Sequence, residues 1–154
     1  LSAVMEIDFS NTSMSDVFPK IDKQATCHKV ASFLKWTLPR MVLIAGKSLT
    51  DLRSPNYDGM PKAPASGNSN DARIVQKLYA QEVIKRTVEA IGKCDKECRE
   101  ILDMLYLQDY TDTMCYLDLG YSESTYSHSK KPKALLQFAD VYLMEDLRVP
   151  AAES

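Results

Sequence analysis

One stretch decides the fold: Thr111-Asp112-Thr113-Met114-Cys115-Tyr116-Leu117-Asp118-Leu119, then Gly120-Tyr121, then Ser122-Glu123-Ser124-Thr125-Tyr126-Ser127-His128-Ser129-Lys130-Lys131. Thr111 suits the N-cap of a short helix, because its hydroxyl can accept one of the amide protons that the first turn leaves unpaired. Gly120 supplies the left-handed residue that ends such a helix, and Ser122 is placed to cap a second. Helix, tight glycine turn, helix is the order of a helix-turn-helix. With Gly120 at the turn, Cys115, Leu119, Tyr121 and Tyr126 fall at the positions where the two helices should touch. Two residues depart from that pattern. Tyr116 stands where a small residue usually allows close approach, and Ser129 stands where an apolar one is expected.

A DNA-reading unit of this kind uses its second helix for contact. Ser122, Ser124, Thr125, Ser127 and His128 are suited to hydrogen bonding, and Ser124, Thr125, Ser127 and His128 are the candidates for base edges. Lys130, Lys131 and Lys133 are assigned to phosphate, since an ammonium on a flexible stem neutralises charge while carrying little sequence information. Pro132 lacks the amide proton a helix interior requires. The reading helix is therefore expected to end near Lys131, with a last helix starting at Pro132. Leu135, Leu136, Phe138, Ala139, Tyr142 and Leu143 give that helix a broad apolar face.

Toward the N-terminus, Asp95 can cap a helix carrying Cys98, Ile101, Leu102 and Leu105. Before it, Ile74, Leu78, Ile84, Val88 and Ile91 recur at 3.6-residue spacing and predict a long helix over 71–91. Val75, Tyr79 and Val83 widen its stripe, which favours burial in a bundle. Gln81 interrupts the stripe, and in a dimer seam it would be a register-setting polar residue. Residues 48–70 hold Pro55, Pro61, Pro64, Gly59 and Gly67 and read as a linker. A connection of that length argues for two helical units, 14–47 and 71–147, with a tail at 148–154. In the first unit, Ala25, Val30, Ala31, Leu34 and Leu38 line a helix over 22–37. Pro39 should stop or kink it before a shorter helix closed by Gly46. Residues 1–13 show little pattern and are expected to be disordered, or upstream sequence ahead of a start at Met14. No run alternates convincingly enough for a strand, so the predicted class is all-α.

The 154 residues carry 19 Lys plus Arg against 21 Asp plus Glu, a formal charge of −2, so bulk polycation binding to nucleic acid is excluded. The distribution is uneven. Residues 14–53 have seven basic and three acidic side chains, whereas 71–120 have ten acidic and seven basic. Apolar runs fall far short of the roughly 20 residues of a membrane span, and no secretory signal is visible, so a cytoplasmic protein is expected. Cys27, Cys94, Cys98 and Cys115 are too scattered for a disulfide scaffold, and His28 and His128 have no ligand or triad partner nearby. They predict reduced core thiols, no metal and no cofactor. With no phosphate-cradling loop or nucleophile motif, an enzyme is not expected, and neither is a small-molecule substrate.

Three further runs carry a family resemblance. They are Ser54-Pro55-Asn56-Tyr57-Asp58-Gly59-Met60-Pro61-Lys62 with Asn68, then Leu119-Gly120-Tyr121-Ser122, and Ala134-Leu135-Leu136-Gln137-Phe138-Ala139. Together they resemble the ArpU family of phage transcriptional regulators, from about Val17 to Tyr142. The resemblance implies a C-terminal half similar to the promoter-reading domain of sigma factors. It also implies a phage or prophage regulator in a Gram-positive host that activates late genes for packaging, structure or lysis. The expected partner is double-stranded DNA, with a homodimer and host RNA polymerase as further candidates. The competing reading is a helical adaptor that binds RNA polymerase or another phage protein and has no DNA affinity of its own.

Overall fold

A computed structural model describes residues 6–47 and 71–152, and these residues form six helices and no strand. Helix α1 is the short Met14–Val17. Helix α2 runs as Lys23–Ser32, a π-helical turn Phe33–Thr37, and Leu38–Ala45. Helix α3 is Asp71–Lys93. Helix α4 joins Lys96–Leu102 to a second π-helical turn, Asp103–Leu107. Helix α5 is Asp112–Leu119. Helix α6 begins at Glu123–Thr125, passes through a third π-helical turn at Tyr126–Lys130, and continues as Lys131–Val141. Among the described residues no helix is long and apolar enough to cross a membrane. The linker expected at 48–70 and its Pro-Gly-Met run lie outside the described residues.

Two of the expected caps form where the sequence places them: Asp95 Oδ1 accepts the Cys98 amide at 2.9 Å and Thr111 Oγ1 that of Met114 at 3.1 Å. Asp22, at the expected start of α2, is also a cap, its Oδ1 accepting the Ala25 amide at 3.0 Å. Gly46 closes α2 at φ 74°, while the Lys47 amide reaches back to the Val42 carbonyl at 3.0 Å.

Pro39 and Pro132 each sit in the first turn of a helical segment that resumes after an interruption, as expected. Neither Pro39 nor Pro132 ends a helix. In each case the preceding turn is π-helical: the Leu38 amide donates to the Phe33 carbonyl, and the Lys131 amide to the Tyr126 carbonyl. A proline in a regular helix removes one bond and collides with the carbonyl four residues back. The widened turn relieves both demands, and α-helical geometry resumes with the proline in its first turn. The reading helix and the last helix are therefore one continuous element, α6.

The N-terminal helices do not build a core of their own. A single cluster of buried side chains extends from Val30 to Leu147. The Leu38–Ala45 part of α2 packs on α3, and the Lys23–Ser32 part packs on α6, which also rests on α4. Phe33 links these layers, with its ring centroid 6.2 Å from Phe138 and 5.1 Å from Tyr142. The presumed tail is also tied down over its described part. The Asp22 amide donates to the Val149 carbonyl at 2.8 Å and the Ala151 amide to the Lys20 carbonyl at 3.0 Å, with Leu147 buried beneath.

Helix α3 is covered only over its second half. Its buried residues are Ala80, Gln81, Val83, Ile84, Thr87, Ala90 and Ile91, while Val75 and Tyr79, expected to be buried, are 62% and 56% exposed. Gln81 is buried, and its Oε1 has no hydrogen-bond partner among the described residues.

Candidate nucleic-acid interface

Helix α5, the turn at Gly120 and Tyr121, and the start of α6 follow one another in the order expected from the sequence. Gly120 adopts φ 79°, a conformation that favours glycine, and the Tyr121 amide bonds back to the Tyr116 carbonyl at 3.0 Å. Two residues on, Ser122 Oγ accepts the Thr125 amide at 3.1 Å and starts α6. Cys115 and Tyr126 are buried at the contact, with Leu119 and Tyr121 half-buried at its edge.

Both departures from the usual pattern are accommodated. Tyr116 stays at the rim, half-buried, with its ring tilted against Tyr126 at 5.6 Å between centroids. In a regular helix Ser129 would lie beside Tyr126 on the inner face. The π-helical turn adds a residue to the revolution, so Ser129 is exposed and the next fully buried positions are Ala134 and Leu135.

The base-edge candidates Ser124, Thr125, Ser127 and His128 are each exposed, as is Ser122, while Tyr126 among them is buried. His128 Nδ1 lies 3.0 Å from the Ser124 carbonyl oxygen. A carbonyl oxygen only accepts, so Nδ1 carries the proton, and Nε2 of the neutral ring remains an acceptor.

The three lysines are a different matter, because each is already held by a carboxylate. Lys130 Nζ lies 3.2 Å from Glu97, Lys131 Nζ 2.8 Å from Asp112, and Lys133 Nζ 3.5 Å from Asp95. Lys130 also sits over the Tyr121 ring at 5.2 Å. Asp112 is the centre of this network, since its Oδ1 accepts from both the Tyr126 hydroxyl, at 2.7 Å, and Lys131. These carboxylates were not legible as site residues. Asp112 and Glu97 lie 19 and 33 positions from their lysines, and nothing in local spacing pairs them.

The electrostatics follow from these contacts. Burial pushes the Asp112 carboxyl upward, but the bonds from Lys131 and Tyr126 outweigh it and hold the group below its usual range. The Cys98 amide and the Gln137 side chain hold Asp95 well below the usual carboxylate range. Burial drives the Tyr126 phenol far upward, assisted by its bond to Asp112. All four cysteines are free thiols, and burial raises Cys94 to about 11 and Cys98 to about 12, so both are protonated near neutral pH. Among the described residues no group of three His, Cys, Asp or Glu side chains could hold a metal.

A pH dependence follows. A carboxyl whose folded pKa is depressed adds stability above its unfolded pKa, and that stability is lost as pH falls through the folded value. The denaturant midpoint should therefore fall as pH drops below about 4. Asp112→Asn should flatten that acid limb, as read by denaturant titration at several pH values. An unchanged limb in the variant would remove Asp112 from the account.

No family model matches the chain, and no solved structure matches it. Among curated proteins it is 30% identical over 105 residues to "Putative autolysin regulatory protein ArpU" of Enterococcus hirae. That similarity covers 67% of this chain and 76% of the relative.

Proposed function

The chain belongs to the ArpU family, and from that premise we propose that this regulator binds DNA in a sequence-specific manner through the first turns of α6. The observation that carries the reading is the exposed set Ser122, Ser124, Thr125, Ser127 and His128, which follows a glycine turn and is braced on α5 through Tyr126 and Asp112. Such a surface offers hydroxyl and imidazole groups to base edges. A helix of this length meets only a few base pairs, which favours a homodimer on a two-part site. The relative's name makes it a regulatory protein of autolysin. For this chain we extend that regulatory role to activation of phage late genes in the cytoplasm of a bacterial host. No catalytic role is proposed.

The test is binding of the purified protein to DNA upstream of its late operon, across a salt series and against scrambled DNA. A preference for the natural sequence is expected, with the logarithm of affinity falling linearly against the logarithm of salt. Equal binding to both at every salt concentration would refute sequence-specific recognition.

The second reading, an adaptor for RNA polymerase, draws on Met114 and Leu117. They stand 48% and 68% exposed on α5. Capture of polymerase by a protein with no DNA affinity would favour it.

A further inference from the structure

The three lysines of α6 are internally neutralised, so phosphate contact at this surface calls for cations from elsewhere. Helix α2 is placed to supply one. The start of α2 and α6 from Ser127 to Asp140 line a groove of about 700 Å³, so that the end of the reading segment forms part of its wall. Lys23 and Gln24 line it together with Ser127, His128, Lys133 and Asp140. Lys23 is exposed and makes no ion pair among the described residues, unlike Lys133.

The backbone around Lys23 is held from two sides. The Asp22 amide is bonded to the Val149 carbonyl. Thr26, fully buried, accepts the Val149 amide through its hydroxyl at 2.9 Å. Cys27 in the next turn points its thiol at the Pro132 carbonyl, 3.5 Å away, so α2 touches α6 where the π-helical turn gives way to α-helix. The start of α2 is thus clamped between the C-terminal segment and α6.

We propose that Lys23, with Gln24 beside it, contacts the DNA phosphate backbone flanking the groove that α6 enters, so that the N-terminal helix is part of the DNA interface. This rests on the DNA-binding reading above. The ligand is the phosphodiester backbone, and the contribution is independent of base sequence.

The measurement is the salt dependence of binding to a random-sequence duplex by the full chain. Lys23→Gln should reduce the slope by about one unit, and Lys23→Arg should keep it. Arg40→Gln removes the same charge from an exposed position further along α2 that does not line the groove, and it should leave the slope unchanged. An unchanged slope in Lys23→Gln, with wild-type binding intact, would overturn the Lys23 assignment alone. An equal loss in Arg40→Gln would also overturn it, since the effect would then be one of overall charge. If the wild-type chain binds no duplex at any salt concentration, the DNA-binding reading falls and takes this assignment with it. Because Lys23 is exposed and makes no ion pair among the described residues, circular dichroism of the variants should match wild type.

Discussion

Phe138→Ala should destabilise the protein by about 3–5 kcal/mol, the range for truncating a buried aromatic side chain. For a chain of this size that corresponds to a drop on the order of 10 °C in Tm. Phe138 is fully buried on α6 between Phe33 of α2 and Tyr142, with its ring stacked on Tyr142 at 5.1 Å. Removing the ring opens a cavity where three parts of the fold meet. The effect should therefore reach beyond one helix. Loss of α2 from its seat on α6 would also release Lys23 and the Cys27–Pro132 contact, so thermal melting and DNA binding should fail together. Phe138→Leu keeps most of the volume and should lose less than half as much. Phe33→Ala combined with Phe138→Ala should be less damaging than the two single effects added, because the rings share one contact. Full additivity would show that Phe33 and Phe138 do not act as a unit.

The parts of this fold that were readable in the sequence are those governed by residues three or four positions apart. Asp95, Thr111 and Ser122 each bond to an amide three positions on, and Gly120 closes a turn within five residues. Such contacts depend on residue type and spacing alone, which is why the order of helix, glycine turn and helix was legible. What was hidden depends on distant chain. The pairing of Lys131 with Asp112 and of Lys130 with Glu97 requires α6 to cross α5 and α4 in one orientation, and no local pattern encodes it. Val75 and Tyr79 have the right spacing for burial and yet are exposed, because the described residues cover the first turns of α3 only along the half-buried line of Ile74 and Leu78. The two prolines fall between these cases. Each signalled an interruption at the right residue, but a chain can answer a proline by stopping, kinking or inserting a π-helical turn. Packing of Tyr126 and Ala134 on one inner face, with Ser129 outside, selects the last.

The same separation of local and distant roles sets the second large effect, on recognition. Ser124, Thr125, Ser127 and His128 are exposed, and their side chains carry no cap and no core contact. Ser122 is different, because its hydroxyl caps α6, and its loss would cost about 1 kcal/mol of helix stability. The informative variant therefore replaces Ser124, Thr125, Ser127 and His128 by alanine and keeps Ser122. Alanine is at least as good a helix former as each of them, so the melting temperature should hold. Each lost base contact removes about 1–3 kcal/mol of discrimination, so the preference for operator over random DNA should collapse by roughly a hundredfold or more. The salt slope should stay at the wild-type value, since phosphate contacts lie elsewhere. Lys23→Gln should do the reverse, lowering the slope while leaving the preference intact. Parallel titrations of operator and random duplex across salt measure both quantities at once. A quadruple variant that keeps its preference would move base reading off this face of α6, even if the protein still binds DNA.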